Sequence, residues 1–223
     1  MTFRPFALPL LFATLLVSSL ASPAAADSGR STPGAVRVAL VTSLGTITVA
    51  VDTRHAPATS ANFLAYVDDG RFDGTSFYRA ARRKADPAHG YIQGGIRTNA
   101  WRALPPIPLE ATDRTGLRHG DATLSMARQS RPDSATGNFF LTVGPTPAMD
   151  AKGAYRGYAA FGRVVGGMDV VRRILALPSG GGSGPMKGQM IVRPVTILRA
   201  TRLDGTPRPS GRPKPWLIFE KHR

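Results

Sequence analysis

Between Val36 and Ala200 the apolar residues fall in short alternating runs punctuated by Gly, Pro, Asn and Asp. This pattern most narrows the folds open to the chain. Val36, Val38 and Leu40 alternate with Arg37, Ala39 and Val41; Ile47, Val49 and Val51 alternate with Thr48, Ala50 and Asp52; Ser43-Leu44-Gly45 lies between. A period of two places each set on one strand face, so the stretch predicts a hairpin with one buried side. Further short strands are predicted at residues 75–78, 91–93, 122–127, 139–143, 158–164 and 190–200. Pro194 has no amide hydrogen to give a ladder, which predicts an edge or a bulge within the last of these. Two helical patterns interrupt the strands. Residues 57–67 begin on Pro57, carry Phe63, Leu64 and Val67 on one face and stop at Gly70; residues 168–177 turn Val171, Ile174 and Leu175 inward before Pro178. Many short strands with few helices point to a mainly β chain closed as an antiparallel barrel, which leaves no sheet edge unpaired.

With 223 residues, 42% of them hydrophobic, the chain can bury one core rather than two. Its 24 Gly and 19 Pro, against 8% aromatic residues, suit turns and short strands over long helices. Cysteine is absent, which removes disulfides, thiolate chemistry and Cys-ligated zinc. His55, His89, His119 and His222 lack metal-ligand spacing, so neither a metal nor any cofactor is expected. The formal charge of +15 draws anionic partners, and weak contact with anionic envelope components is expected. The basic residues are spread along the chain without interleaved aromatics, which argues against a specific nucleic-acid module. A monomer is expected.

The first 26 residues read as a secretory leader: Arg4 in the n-region, an apolar stretch from Phe6 to Leu20, and Ala24-Ala25-Ala26 at the cleavage site. The apolar run is short for a bilayer span, so an uncleaved anchor is the lesser alternative. Residues 27–35 form a linker, 36–203 the folded domain, and 204–223 a basic, Pro-rich tail. The tail's Trp216, Leu217, Ile218 and Phe219 could dock on the barrel or on a partner. The expected location is the periplasm or the exterior.

Ordinary catalysts find little support in the spacing. Ser125 and Ser134 lack a His at a diagnostic distance and a G-x-S-x-G elbow is absent, although a Ser-His-Asp group can still assemble in space. The Gly-rich run at residues 179–184 follows a helix instead of a strand and lacks the Lys-Ser/Thr ending of a phosphate loop.

Several motifs nevertheless occur in one order: Phe77-Tyr78-Arg79, Gln93-Gly94-Gly95, Leu124-Ser125-Met126-Ala127-Arg128, Ser134-Ala135-Thr136-Gly137-Asn138-Phe139-Phe140 and Phe161-Gly162-Arg163-Val164. Glu110, Thr115-Gly116-Leu117 and Met149-Asp150 accompany them. Over about residues 36–200 this resembles the cyclophilin-type peptidyl-prolyl isomerases, in particular a bacterial exported branch. The resemblance implies a closed eight-stranded antiparallel barrel capped by two α-helices. It also implies acceleration of X-Pro isomerisation in Pro-containing polypeptides, here folding envelope or secreted proteins. Arg79 matches the catalytic arginine and Gln93 the groove glutamine; Tyr91, Met126, Ala127, Arg128, Asn138, Phe140, Met149 and Tyr158 fall on substrate-binding positions.

The sequence also departs from that pattern. The spacer from Arg79 to Gln93 is longer than usual, and His89 or Gly90 stands where a pocket phenylalanine is normally found, leaving the pocket open or filled by Tyr91. Ala148, Asn138 and Tyr158 replace a tryptophan, a longer amide and a histidine. Weaker or redirected catalysis is therefore expected. The alternative is a weakly active or inactive module that binds Pro-containing or acidic segments, guided by Arg82-Arg83-Lys84.

Overall fold

A computed structural model describes residues 34–219, together with Met1 and Thr2. The predicted leader and linker lie outside these residues except at their extremes. Nine strands follow in the order β1 (Ala35–Thr42), β2 (Gly45–Asp52), β3 (Ser76–Arg82), β4 (Gly90–Gly95), β5 (Thr123–Met126), β6 (Asn138–Val143), β7 (Ala159–Gly166), β8 (Ser179–Gly180) and β9 (Met190–Arg202). All pairings are antiparallel, in the spatial order β1-β2-β7-β5-β6-β4-β3-β9, and β1 pairs back onto β9 to close the ring. The expected eight-stranded barrel is present, with the two-residue β8 added on β9 from within the Gly-rich run. Pro194 falls where β9 leaves β3, between the pairs Phe77↔Val195 and Arg79↔Met190.

Closure turns one face of every strand inward. Leu40, Ile47, Val49, Ile92, Leu124, Phe139, Leu141 and Phe161 are fully buried, and each such side chain contributes about 1.5–3 kcal/mol of transfer free energy. Two helices close the ends. α1 (Pro57–Asp68) lies at the Asp52 end of β2, where Ser60 Oγ donates to the Asp52 carbonyl at 2.6 Å. α3 (Met168–Ala176) lies at the opposite end of that strand, where Arg173 Nη2 donates to the Leu44 carbonyl at 3.0 Å. Phe63 of α1 plugs its mouth with ring centroids 5.3 Å from Phe72, Phe139 and Phe161. Two four-residue helices, α2 (Thr112–Thr115) and α4 (Trp216–Phe219), add to the expected pair.

α1 has no side-chain cap of its own at Ala56. Glu110 supplies one from afar: its carboxylate accepts from the Ala58 amide at 3.0 Å, the Thr59 amide at 2.7 Å and the Thr59 hydroxyl at 2.6 Å. A carboxylate there satisfies orphan amides and faces the positive end of the helix dipole. Glu110→Ala is expected to cost about 1–2 kcal/mol, read as a lower urea midpoint at unchanged m-value.

The spacer arginines hydrogen-bond within their own fold. Arg82 Nη1 donates to the carbonyls of Leu175 at 3.0 Å and Leu177 at 2.9 Å, satisfying the end of α3, and Nη2 donates to Ser179 Oγ. Arg83 Nη2 donates to the Pro145 carbonyl and to Thr146 Oγ1. Of the triplet, Lys84 alone is exposed, and Arg82 and Arg83 are half-buried.

The tail packs on its own domain. Asp204 takes three hydrogen bonds from Arg37, and Asp68 binds both Arg202 and the Arg208 amide. Trp216 is only 3% exposed, with the guanidinium carbons of Arg71 and Arg102 at 4.7 Å and 5.3 Å from its ring. The side chain of Phe219 lies outside the described set.

Candidate active site

Strict alternation along β3 would send Arg79 to the same face as Phe77, into the barrel. A β-bulge prevents this. Phe77 pairs with Gly94 and Arg79 with the next residue, Gln93, so Tyr78 is the extra residue. Phe77 stays in the core while Arg79 turns outward beside Gln93. Gly95 permits the adjacent crossing: its φ is +116°, and a Cβ there would sit 2.1 Å from the Gly137 carbonyl oxygen.

The Arg79 guanidinium is then held by three acceptors. Nε donates to Gln189 Oε1 at 2.8 Å, Nη1 to Gln93 Oε1 at 3.0 Å, and Nη2 to the Pro185 carbonyl at 3.1 Å. One hydrogen on each Nη remains for another partner. Because arginine only donates, Gln93 must turn its oxygen toward it, and this orients every amide further along. Gln93 Nε2 donates to Tyr78 Oη at 2.8 Å, and Tyr78 donates to Asn138 Oδ1 at 3.1 Å. The same Oδ1 accepts from the Arg97 amide at 2.7 Å, and Asn138 Nδ2 donates to the Arg97 carbonyl at 2.9 Å. Burial pushes the Tyr78 phenol up to about 12, so it remains a donor throughout the physiological range.

Above this network opens a groove of about 800 Å³, lined among others by Arg79, Gln93, Tyr91, Ala127, Arg128, Asn138, Phe140, Met149 and Tyr158. Nine of the ten residues expected at the site are thus brought together. Met126 is the exception and is corrected: it pairs with Phe139, not with Phe140, so it shares the interior face and is 2% exposed. Tyr91 fills the space left by the altered spacer, with its ring 5.3 Å from Phe140 and the Arg79 guanidinium carbon 5.2 Å from its centroid. His89 turns away to Asp86, and Gly90 has no room for a side chain, since a Cβ there would meet the Ala81 oxygen at 2.1 Å. Tyr158 packs edge-on to Phe140 at 5.6 Å.

Tyr78, Gln189 and Pro185 were not singled out from the sequence as site residues. Tyr78 did stand inside the Phe77-Tyr78-Arg79 motif. Gln189 and Pro185 lie in a Gly-rich stretch whose path is set by tertiary contacts, among them the Ala80 amide donating to the Gln189 carbonyl at 2.9 Å.

Behind Phe140, a Ser-His-Asp group does assemble. His119 Nδ1 lies 2.7 Å from Asp150 Oδ1, its Nε2 lies 2.8 Å from Ser125 Oγ, and its ring stacks on Phe140 at 5.8 Å and 10°. Ser125 is fully buried with no approach for a substrate, so the group is a structural support and not a nucleophilic triad. The one hydroxyl proton of Ser125 can serve His119 Nε2 or the Ala159 carbonyl at 2.9 Å, but not both. Burial lowers the imidazole's affinity for a second proton, opposed by Asp150, and the net shift is downward. The unfolded chain therefore takes up this proton first as pH falls, and stability should decline below the ordinary His value of about 6.5. Chemical denaturation of wild type and His119→Gln between pH 7.5 and 5.5 checks this; the wild type should show the steeper loss.

Residues 37–201 match the family pattern described as cyclophilin type peptidyl-prolyl cis-trans isomerase/CLD. The chain is 36% identical over 142 residues to a peptidyl-prolyl cis-trans isomerase of Acinetobacter baylyi, covering 64% of this chain and 73% of that one. It is 38% identical over 169 residues to peptidyl-prolyl cis-trans isomerase cyp18 of Streptomyces antibioticus, covering 73% and 96%. Among solved structures, a Cryptosporidium parvum cyclophilin type isomerase superposes with a TM-score of 0.61 at 21% identity, covering 76% of this chain and 99% of that one, which supports the fold. Matching residues 37–201, the chain belongs to the cyclophilin-type peptidyl-prolyl cis-trans isomerase family.

Proposed function

We propose that Arg79 is the catalytic group of this isomerase, that Gln93 orients it, and that the hollow formed by Phe140, Tyr91, Met149 and Tyr158 holds the proline ring. The supporting observation is the guanidinium itself, fixed by three acceptors with two N–H bonds unspent above an aromatic hollow. Amide resonance gives the peptide bond a barrier of about 18–20 kcal/mol. Twisting an X-Pro bond by about 90° breaks that resonance and localises a lone pair on the prolyl nitrogen. A donor beside that nitrogen stabilises the twisted form more than either planar one, which lowers the barrier without breaking a bond. Pre-fixing the guanidinium removes the entropy that a free side chain would lose on engaging it. A protease-coupled assay on an Ala-Pro peptide tests this reading. Acceleration above the uncatalysed rate is expected, and none at high protein concentration would defeat it.

The substrates we assign are exported polypeptides, on the strength of the leader-like first 26 residues. Cell fractionation with N-terminal sequencing should find a mature form beginning near Asp27; an intact Met1 in the cytoplasm would refute export. Against a purely binding module guided by Arg82-Arg83-Lys84 stands the position of the triplet, which is not among the residues lining the groove.

A further inference from the structure

The groove carries more positive charge than one catalytic guanidinium requires. Arg97, Arg128 and Arg156 line it together with Arg79, and no Asp or Glu is among the lining residues. None of the four forms an ion pair among the described residues. Besides Arg79, two of them are also held in place. Arg97 is exposed and adopts a left-handed φ of 54°, a conformation disfavoured for a side chain with a Cβ. Asn138 maintains it by bonding both its amide and its carbonyl, and the guanidinium carbon lies 5.3 Å from the Tyr78 ring centroid. Arg128 donates to the carbonyls of Gly157, Gln129 and Ser130, with its guanidinium carbon 4.9 Å from the Tyr158 ring. Backbone strain held by a side-chain clamp, and a fixed rather than a mobile cation, both point to positioned charge.

From the location of these charges around the Phe140 hollow, we infer that the groove selects X-Pro bonds flanked by Asp or Glu, that is, acidic segments of polypeptide. The inference rests on the isomerase reading of the same groove. It assigns the acidic preference to Arg97, Arg128 and Arg156 rather than to the spacer triplet. Carboxylates on either side of the proline would meet these arginines, while lysines would meet like charge with no acidic residue to offset it. Such rim pairs are individually weak and screened by salt, so the preference should be moderate and ionic-strength dependent.

The test compares kcat/KM of the full chain for Ala-Pro peptides carrying Glu on both flanks, Lys on both flanks, or neutral flanks. At low salt the Glu peptide should exceed the Lys peptide by about tenfold, and the ratio should shrink toward one as salt rises toward about 1 M, where the Debye length is about 3 Å. Because a net charge of +15 attracts any acidic peptide, local and global effects are separated by two charge-matched double variants. Arg97→Gln with Arg156→Gln should reduce the Glu:Lys ratio several-fold. Arg172→Gln with Arg199→Gln, exposed positions outside the groove, should leave it intact. A wild-type ratio near one overturns the inference, as does an equal fall in both double variants. If the neutral peptide is not turned over at all, the isomerase reading fails separately, and fluorescence-detected binding of the two charged peptides then decides the preference by the same ratios.

Discussion

Replacing Arg79 with Ala is expected to lower kcat/KM on an Ala-Pro peptide by about a hundredfold or more, while the melting temperature changes little. The size follows from the usual loss on removing one preorganised donor aimed at developing charge, about 2.7–4 kcal/mol. Stability should hold because the vacated acceptors, Gln93, Gln189 and the Pro185 carbonyl, border an open groove where water can replace the guanidinium. Arg79→Lys should fare little better, since an ammonium cannot reach three acceptors in one plane and still present two donors to the substrate. A variant retaining a third or more of wild-type activity would remove Arg79 from the mechanism.

The largest stability effect is expected at Asp69 and Arg71, far from the chemistry. Arg71 is 1% exposed and Asp69 4%, and they form an ion pair at 2.6 Å. Arg71 also donates to the carbonyls of Arg102, Arg212 and Pro213, while Asp69 accepts from the Ser210 amide and hydroxyl. The tail is thus fastened through a buried pair. Removing Arg71 leaves the buried Asp69 carboxylate with Lys214, 4.0 Å away, as its remaining counter-charge, so the cost falls at the lower end for a broken buried pair, about 3 kcal/mol. At about 2–4 °C per kcal/mol for a domain of this size, Arg71→Met should lower the melting temperature by roughly 10 °C. It should also open the Trp216-Leu217 bond, shielded while Trp216 is buried, to chymotrypsin before the barrel is cut. An unchanged melting temperature together with a protected tail would show that the pair contributes nothing. Burial alone would raise the Asp69 carboxyl, but Ser210 and Arg71 outweigh it and hold it below the usual carboxylate range. A carboxyl depressed in the fold contributes stability above its unfolded value, near 3.9, and that contribution is lost as pH falls through the folded value.

The barrel strands were legible because barrel closure imposes a period of two on strands with one buried face, which 36–52 carries openly, while 139–143 shows instead as a short apolar run bounded by turn residues. The short helices α2 and α4 escaped notice because four residues are too few to display a helical period. Met126 was misplaced for a related reason. The motif Leu124-Ser125-Met126-Ala127 shows that a strand is near the groove but not which alternate residue faces it. The register Ser125↔Phe140 decides that Met126 faces the core.

By itself the sequence determined the barrel class, the two end helices and most of the groove-lining set, because local alternation and motif order survive without knowledge of what packs against what. Only the tertiary structure decided that Arg79 points outward, since the bulge at Tyr78 is a property of two strands in register and not of one. It likewise decided that Gln189 and Pro185 would complete the guanidinium's cradle from 106 or more residues away, and that Arg82 would cap the end of a helix. The physical reason is common to all three. A long cationic side chain has no period of its own, and its direction is set by whichever acceptors the closed barrel brings within reach.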